Sequence, residues 1–386
     1  MGQAKIPCVI MRGGTSKGVF FREAHLLPAP EWRERAILAV FGSPDVRQID
    51  GLGGADPLTS KAAIIGPPSR PDADVDYTFG YVGITQASVD WKGNCGNISS
   101  AVGPYAMDEG IVKGTDPLTA VRIYNTNTKK LLIAEVPTEG GRFQPEGDYA
   151  IAGVPGTGAK IRVDFRETAG SVTGRLLPTG RPTDALTLDG GRTLTVSFVD
   201  CANPFVFVRA ADLGLTNTES VDEWSAHPTA LAKMEQVRCI AAEVLGIARD
   251  RRTASVDSPG VPKIALVAPP RPFTALSGAR VAAGDVHLLV RMTSLQKPHK
   301  AFATTGGVCL AVASRIPGTV VHEAVPPAVR DAETLQIGHP SGVMPVDVLV
   351  ERGEAGFAVR RAALGRTARR LMDGSAYIPA SLLAGG

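Results

Sequence analysis

The chain has 386 residues, enough for two or three domains' worth of core. Its 41 Lys and Arg against 38 Asp and Glu leave a formal charge of +3, scattered rather than gathered into a stripe, which argues against a nucleic-acid partner and leaves small anions unrepelled. No run approaches the ~18 consecutive apolar residues of a membrane span, and five cysteines without CxxC spacing disfavour a disulfide scaffold or a zinc site.

The N-terminal residues lead straight into the strand-like Ile6 to Met11 with no leader pattern, so the cytoplasm is the expected location. Residues 6 to 21 read as two apolar strands broken by a loop, Arg12 to Gly18. A helix is predicted over Pro30 to Phe41, where Trp32, Ile37, Leu38 and Phe41 form an apolar stripe ended by Gly42-Ser43-Pro44. A glycine-dense loop, Gly51 to Asp56, leads through Thr59 and Ser60 to Lys61 and the apolar run Ala62 to Ile65. Tyr77 to Val89 alternates like paired strands. Asn94-Cys95-Gly96-Asn97 then opens Ile98 to Met107, small and apolar with few charges, which predicts a buried helix.

Short strands separated by turn clusters are expected from Leu118 to about Val208, and a second conventional helix over about Pro228 to Leu245. Ala301 to Gly307 runs into Val308 to Ala313, again small and apolar. Each half of the chain thus has a polar, glycine-bearing turn feeding a buried helix. The boundary between halves is placed near residue 186, after the turn-rich Leu177 to Pro182. Local propensity leaves Arg360 to Tyr377 ambiguous, because Gly365 and Gly374 interrupt a helix-suited composition.

Cys95 stands at the predicted start of a helix, where unpaired N–H groups and partial positive charge favour a thiolate and attract carboxylate. Gly96 permits close approach of backbone to ligand. An isolated Cys is more often a small core residue, however, and capping accounts for Asn94 without catalysis. Lys61 reads either as a partly buried base or as a surface lysine at a strand start, the commoner fate. The loop Arg12 to Gly18 lacks P-loop spacing. Its Gly13, Gly14, Thr15 and Ser16 suit either a carboxylate cradle or a plain hairpin turn. His299, between Lys297 and Lys300, is a candidate carboxylate ligand or proton relay, although a lone His is more often structural. Asp45, Asp50 and Asp56 are spaced too irregularly for a metal site, and the common catalytic fingerprints are absent.

Taken together, MRGGTSKG (Met11 to Gly18), GGADPLTSK (Gly53 to Lys61), GNCGNISSAVGP (Gly93 to Pro104), ANPFVFV (Ala202 to Val208), GHPSGVMPV (Gly338 to Val346) and GRTARRLM (Gly365 to Met372) resemble the PrpF-like isomerases along nearly the whole chain. The resemblance implies an α+β fold like diaminopimelate epimerase: two similar halves, each wrapping a sheet around a central buried helix, with the active site in the cleft between them. It divides the chain into 1–186, carrying Lys61 and Cys95, and 187–386, with the C-terminal strands free to return to the first half. It also reads Arg360 to Tyr377 as strands, against local propensity.

The same resemblance matches the Lys of TSK and the Cys of NCGN to Lys61 and Cys95 as a catalytic pair. Family members shift a double bond in a small unsaturated di- or tricarboxylic acid without a cofactor or metal. A proton leaves a carbon acidified by a neighbouring C=C and carboxylate, and one returns two carbons away. Helix-start N–H groups at Cys95 to Asn97 and Thr305 to Gly307 are expected to hold the anionic charge. The expected substrate-binding set is Thr15, Ser16, Lys17, Ser60, Asn94, Gly96, Asn97, His299, Thr305, Gly306 and Gly307. Strings such as VRIYNTNTKKLL (Val121 to Leu132) look most like the methylitaconate Δ-isomerase branch.

The expected partner is a polycarboxylate, with neither nucleic acid nor membrane involved; a homodimer fits enzymes of this kind. Three alternatives stand beside this reading. One is 4-oxalomesaconate tautomerase. Another is a racemase or epimerase, opposed because Cys309 falls inside the second helix rather than at its start. The third is a helper protein of an aconitase-type dehydratase, opposed by the intact Lys61 and Cys95.

Overall fold

The computed structural model describes residues 2–26, 30–227, 229–354 and 356–383. β1 (Gln3–Gly13) and β2 (Ser16–Arg22) form an antiparallel hairpin in which Gly13 stands opposite Ser16, so Gly14 and Thr15 alone make the turn. Gly14 has φ +51°, a conformation glycine adopts without a side-chain penalty. Most of the expected loop Arg12 to Gly18 is therefore strand. Its glycines serve close packing: a Cβ on Gly13 would lie 2.3 Å from the Asn97 carbonyl oxygen, and one on Gly18 2.9 Å from that of Lys61.

The chain divides into two units, each with its own core. The first comprises Met1–Ala150, Gly156–Val163 and Arg366–Gly386; the second comprises Ile151–Pro155 and Asp164–Gly365. The turn-rich string Leu177 to Pro182 thus lies inside the second unit.

In the first unit, α1 (Pro30–Phe41) follows the hairpin and buries Trp32, Ile37 and Phe41 with Ile6, Phe21 and Ile64. Leu38 packs at the edge of that cluster. β3 (Lys61–Gly66) is buried at every position, as a strand covered on both faces should be. β4 (Val75–Val82), the short β5 (Val89–Asp90), the helix α2 (Gly96–Asp108), β6 (Leu118–Asn125) and β7 (Lys130–Glu139) complete the core. α2 packs against β1, β2, β3, β4, β6, β7 and the C-terminal strand (Ala368–Pro379). It is buried from Gly96 to Met107, which its small, uncharged sequence permits. Gly103 lets a strand close on it, since a Cβ there would meet Val136 Cγ2 at 2.7 Å.

Arg360 to Tyr377 is strand, in Gly356–Arg366 and Ala368–Pro379. The second of these pairs with β1 from Gln3↔Pro379 to Gly13↔Ala368. Ladder pairing along the whole of β1 overrides the helix-suited composition.

The internal echo in the sequence is a repeat of topology. From the C-terminal strand through β1, β2, β3, β4, β6 and β7, successive pairings run antiparallel, antiparallel, parallel, antiparallel, parallel, antiparallel. The second unit gives the same order through Asp184–Thr187, Thr193–Cys201, Asn203–Arg209, Lys263–Ala268, Leu288–Ser294, Thr334–His339 and Gly342–Gly353. In each unit the first parallel crossover carries an outer helix, α1 or Ala230–Val244. The second carries the central helix, α2 or Thr304–Ser314. The helix expected from Pro228 begins at Ala230, and Pro228 itself lies outside the described residues. Among the described residues, no helix is long and apolar enough to cross a membrane.

Candidate active site

Lys61 opens β3 and Cys95 caps α2, and the fold brings their side chains together inside the first unit. Lys61 Nζ lies 3.4 Å from Cys95 Sγ and 2.7 Å from Ser16 Oγ. The lysine is 2% exposed and the cysteine 5%, so the surface-lysine reading does not hold. Lys61 Nζ also sits 5.3 Å from the centroid of the Tyr81 ring, whose face favours a cation. Cys95 is extended, at φ −118° and ψ 100°, and its carbonyl accepts the first helical bond, from Ser99 N–H. The thiol therefore sits at the positive end of α2, beside donors that the helix itself cannot satisfy.

Asn97, in the first turn of α2, ties the hairpin to the helix. Its Nδ2 donates to Thr15 Oγ1 at 3.0 Å, and its Oδ1 accepts from Thr15 N–H at 3.4 Å. Arg366 Nε donates to the same Oδ1 at 3.3 Å. Asn94 Oδ1 accepts from Ser99 Oγ at 3.1 Å, bracing the entry to the helix. The structure thus gathers Thr15, Ser16, Lys61, Asn94, Cys95, Gly96 and Asn97 at one end of α2. One nitrogen and one sulfur in contact can hold and pass a single proton, which suits acid–base chemistry at carbon.

The family described as PrpF protein matches residues 3–379. The chain belongs to the PrpF family. Among its relatives is a 3-methylitaconate isomerase from Eubacterium barkeri, 49% identical over 377 residues, which are 97% of this chain and 98% of that protein. The crystal structure of a methylitaconate-delta-isomerase superposes with a TM-score of 0.80 at 48% identity, covering 100% of this chain and 98% of the other. A hydroxyproline epimerase from Agrobacterium vitis reaches a TM-score of 0.54 at 13% identity, covering 97% and 92%. That likeness is one of fold alone: this PrpF-family chain has an epimerase-like fold.

Two expected substrate-binding residues in the first unit stand outside the Lys61–Cys95 contact. Ser60 Oγ donates to the Val82 carbonyl at 2.8 Å and accepts from Gln48 Nε2 at 2.9 Å, so it secures the strand mouth behind Lys61. Lys17 follows Ser16 in β2 and projects to the opposite face.

The remaining candidates belong to the second unit. Thr305 Oγ1 accepts from Asn203 Nδ2 at 3.1 Å. Gly307 N–H is already engaged by the Ala303 carbonyl, since it is the fourth residue of its helix. A Cβ on Gly306 would come within 2.9 Å of the Phe205 and Phe302 rings, and one on Gly307 within 2.6 Å of Met344 Sδ. Close packing explains both glycines. His299 is buried, and its Nδ1 accepts from Ala301 N–H at 3.1 Å, bracing the turn that leads to the helix. Cys309 is fully buried, its thiol donates to the Val199 carbonyl, and burial pushes its pKa well up.

Two residues escaped the sequence reading. Gln48 is buried at φ +46° and joins Ser43 Oγ, Ser60 Oγ and Ala55 N–H, clasping the glycine-dense loop. A Gln inside a loop carries no signal of that role. Arg366 is a buried guanidinium, drawn down to about 10 by burial. Its only mark in sequence is a place in GRTARRLM. Among the described residues, no three His, Cys, Asp or Glu side chains converge as a metal site would require.

Proposed function

We propose that the chain is an isomerase that moves a C=C bond within a small unsaturated di- or tricarboxylic acid by a 1,3-proton shift. The observation that carries this reading is the buried contact of Lys61 Nζ with Cys95 Sγ at the start of α2. One of the pair takes a proton from the carbon next to the C=C and carboxylate. The electron pair left behind delocalises over the allyl system onto the carboxylate. A proton then adds two carbons away, so no net oxidation or reduction occurs.

A carboxylate placed at the first turn of α2 meets the positive helix end, which stabilises the anion more as its charge grows. Two-cysteine epimerase chemistry has no support, because Cys309 is a core thiol. The favoured substrate is a methylitaconate-like dicarboxylate, on the strength of the relative at 49% identity. Cys8, Cys95, Cys201, Cys239 and Cys309 are all buried as thiols, which fits a reducing compartment, the cytoplasm.

The test is proton NMR in D2O with chelator-treated protein and a panel of methylitaconate, aconitate isomers, methylaconitate and oxalomesaconate. Deuterium should enter one acid as its double bond migrates. Lys61→Ala and Cys95→Ser should each slow this by about 10²- to 10⁴-fold, the usual worth of a positioned acid–base group. Absence of exchange in every acid would sink the assignment.

A further inference from the structure

Three cations stand in one row across the sheet of the first unit. Lys17 on β2 is directly opposite Arg12 on β1, and Arg12 is directly opposite Arg369 on the C-terminal strand. Like charges at facing positions of an antiparallel ladder repel. No carboxylate among the described residues pairs with any of the three. By contrast, the next residue, Arg370, is matched by Glu109 at 2.8 Å and Asp373 at 3.2 Å.

Arg12 and Arg369 both line a cavity of about 730 Å3. Arg12 Nη1 is engaged by the carbonyls of Gly14 and Thr367, each at 2.9 Å. Its Nε and Nη2, and the whole Arg369 guanidinium, have no hydrogen-bond partner among the described residues. Burial, and next the charge of Arg369, pull the Arg12 guanidinium below its ordinary range. Two carboxylates line the same cavity. Glu146 does not reach ion-pair distance of either arginine, and Asp108 pairs instead with Arg370, at 3.7 Å.

We propose that this cavity is a binding site for a small oxyanion carrying two negative charges, gripped between the free edge of Arg12 and the guanidinium of Arg369. A planar guanidinium presents two parallel N–H donors, which match the paired oxygens of a phosphate or a carboxylate. A bound dianion also offsets the repulsion along the row. The site is separate from the Lys61–Cys95 contact, yet connected to it. The Arg12 side chain that holds the anion also holds the Gly14 carbonyl, two residues before Ser16, which contacts Lys61. The proposal stands independently of the isomerase reading, because it concerns binding alone.

Calorimetric titration of the full chain with inorganic phosphate, and separately with succinate, at constant ionic strength tests it. One saturable site per chain is expected for at least one probe, and the probe bound more tightly names the source of the oxyanion. Arg369→Gln should weaken binding by about tenfold or more, the worth of a lost charge-assisted contact. Arg369→Lys should weaken it less, and Glu146→Gln should tighten it. Lys61→Ala should leave it unchanged. No saturable binding of either probe overturns the proposal. So does binding that survives Arg369→Gln but is lost in Lys61→Ala, because the anion would then lie at the catalytic pair.

Discussion

Ser16 bears directly on how Lys61 is held. Its hydroxyl is 2.7 Å from the lysine nitrogen, and both groups are buried. Removing a partner from a buried, chargeable group costs roughly 1.5–3 kcal/mol. Ser16→Ala should therefore lower kcat by about ten- to a hundredfold on whichever acid the D2O panel identifies, with a smaller change in KM. An unchanged kcat would reduce Ser16 to a space-filler. Lys61 illustrates why such a site is hard to see in sequence. Two hydroxyl residues followed by an apolar strand describe a surface lysine equally well. Its burial depends on Ser16, 45 residues before it, and Cys95, 34 residues after it.

At the scale of elements, the hairpin lies against the first turn of α2 through glycine. A Cβ on Gly13 would stand 2.3 Å from the Asn97 backbone oxygen and 3.0 Å from Ala101 Cβ. Neither atom is the free end of a flexible side chain, so β1 or α2 must shift. Gly13→Ala should cost about 1–3 kcal/mol of stability, the usual penalty for overpacking. It should lower activity as well, because the hairpin carries Ser16. Gly284→Ala is the matched control. No atom lies within 4 Å of the added Cβ there, and its φ is not positive. Urea midpoints for the two variants check the difference; equal midpoints would show that the hairpin yields freely. The helices α1 and α2 were legible from apolar period and composition. The hairpin's extent was not, because glycines that permit close packing look the same in sequence as glycines that make a turn.

At the scale of the whole molecule, stability should fall on the alkaline side. Burial raises the pKa of Cys8 and Cys309 above the ordinary 9.0 and pushes that of Tyr105 well above its ordinary value. These groups are neutral in the folded chain. Above about pH 9 the unfolded thiols ionise while the buried ones keep their protons. The unfolded state then binds fewer protons, and stability declines as pH rises toward the folded values. Below that range the stability is fully present. Urea midpoints at about pH 7 and about pH 10 should show the loss, and Cys309→Ala should reduce it. An identical loss in that variant would place its origin elsewhere.

The family, the two buried helices and the candidacy of Lys61 and Cys95 were all legible along the chain. These follow from local composition and from motif strings, which a linear reading captures. Folding is what brings Lys61 to Cys95, turns Ser60 and Lys17 away from that contact, and sets Gln48 against Ser60 and Arg366 against Asn97 beside it. It alone placed Lys17, Arg12 and Arg369 in a row. These outcomes depend on strand register, which pairs residues far apart in the chain and assigns each side chain its face.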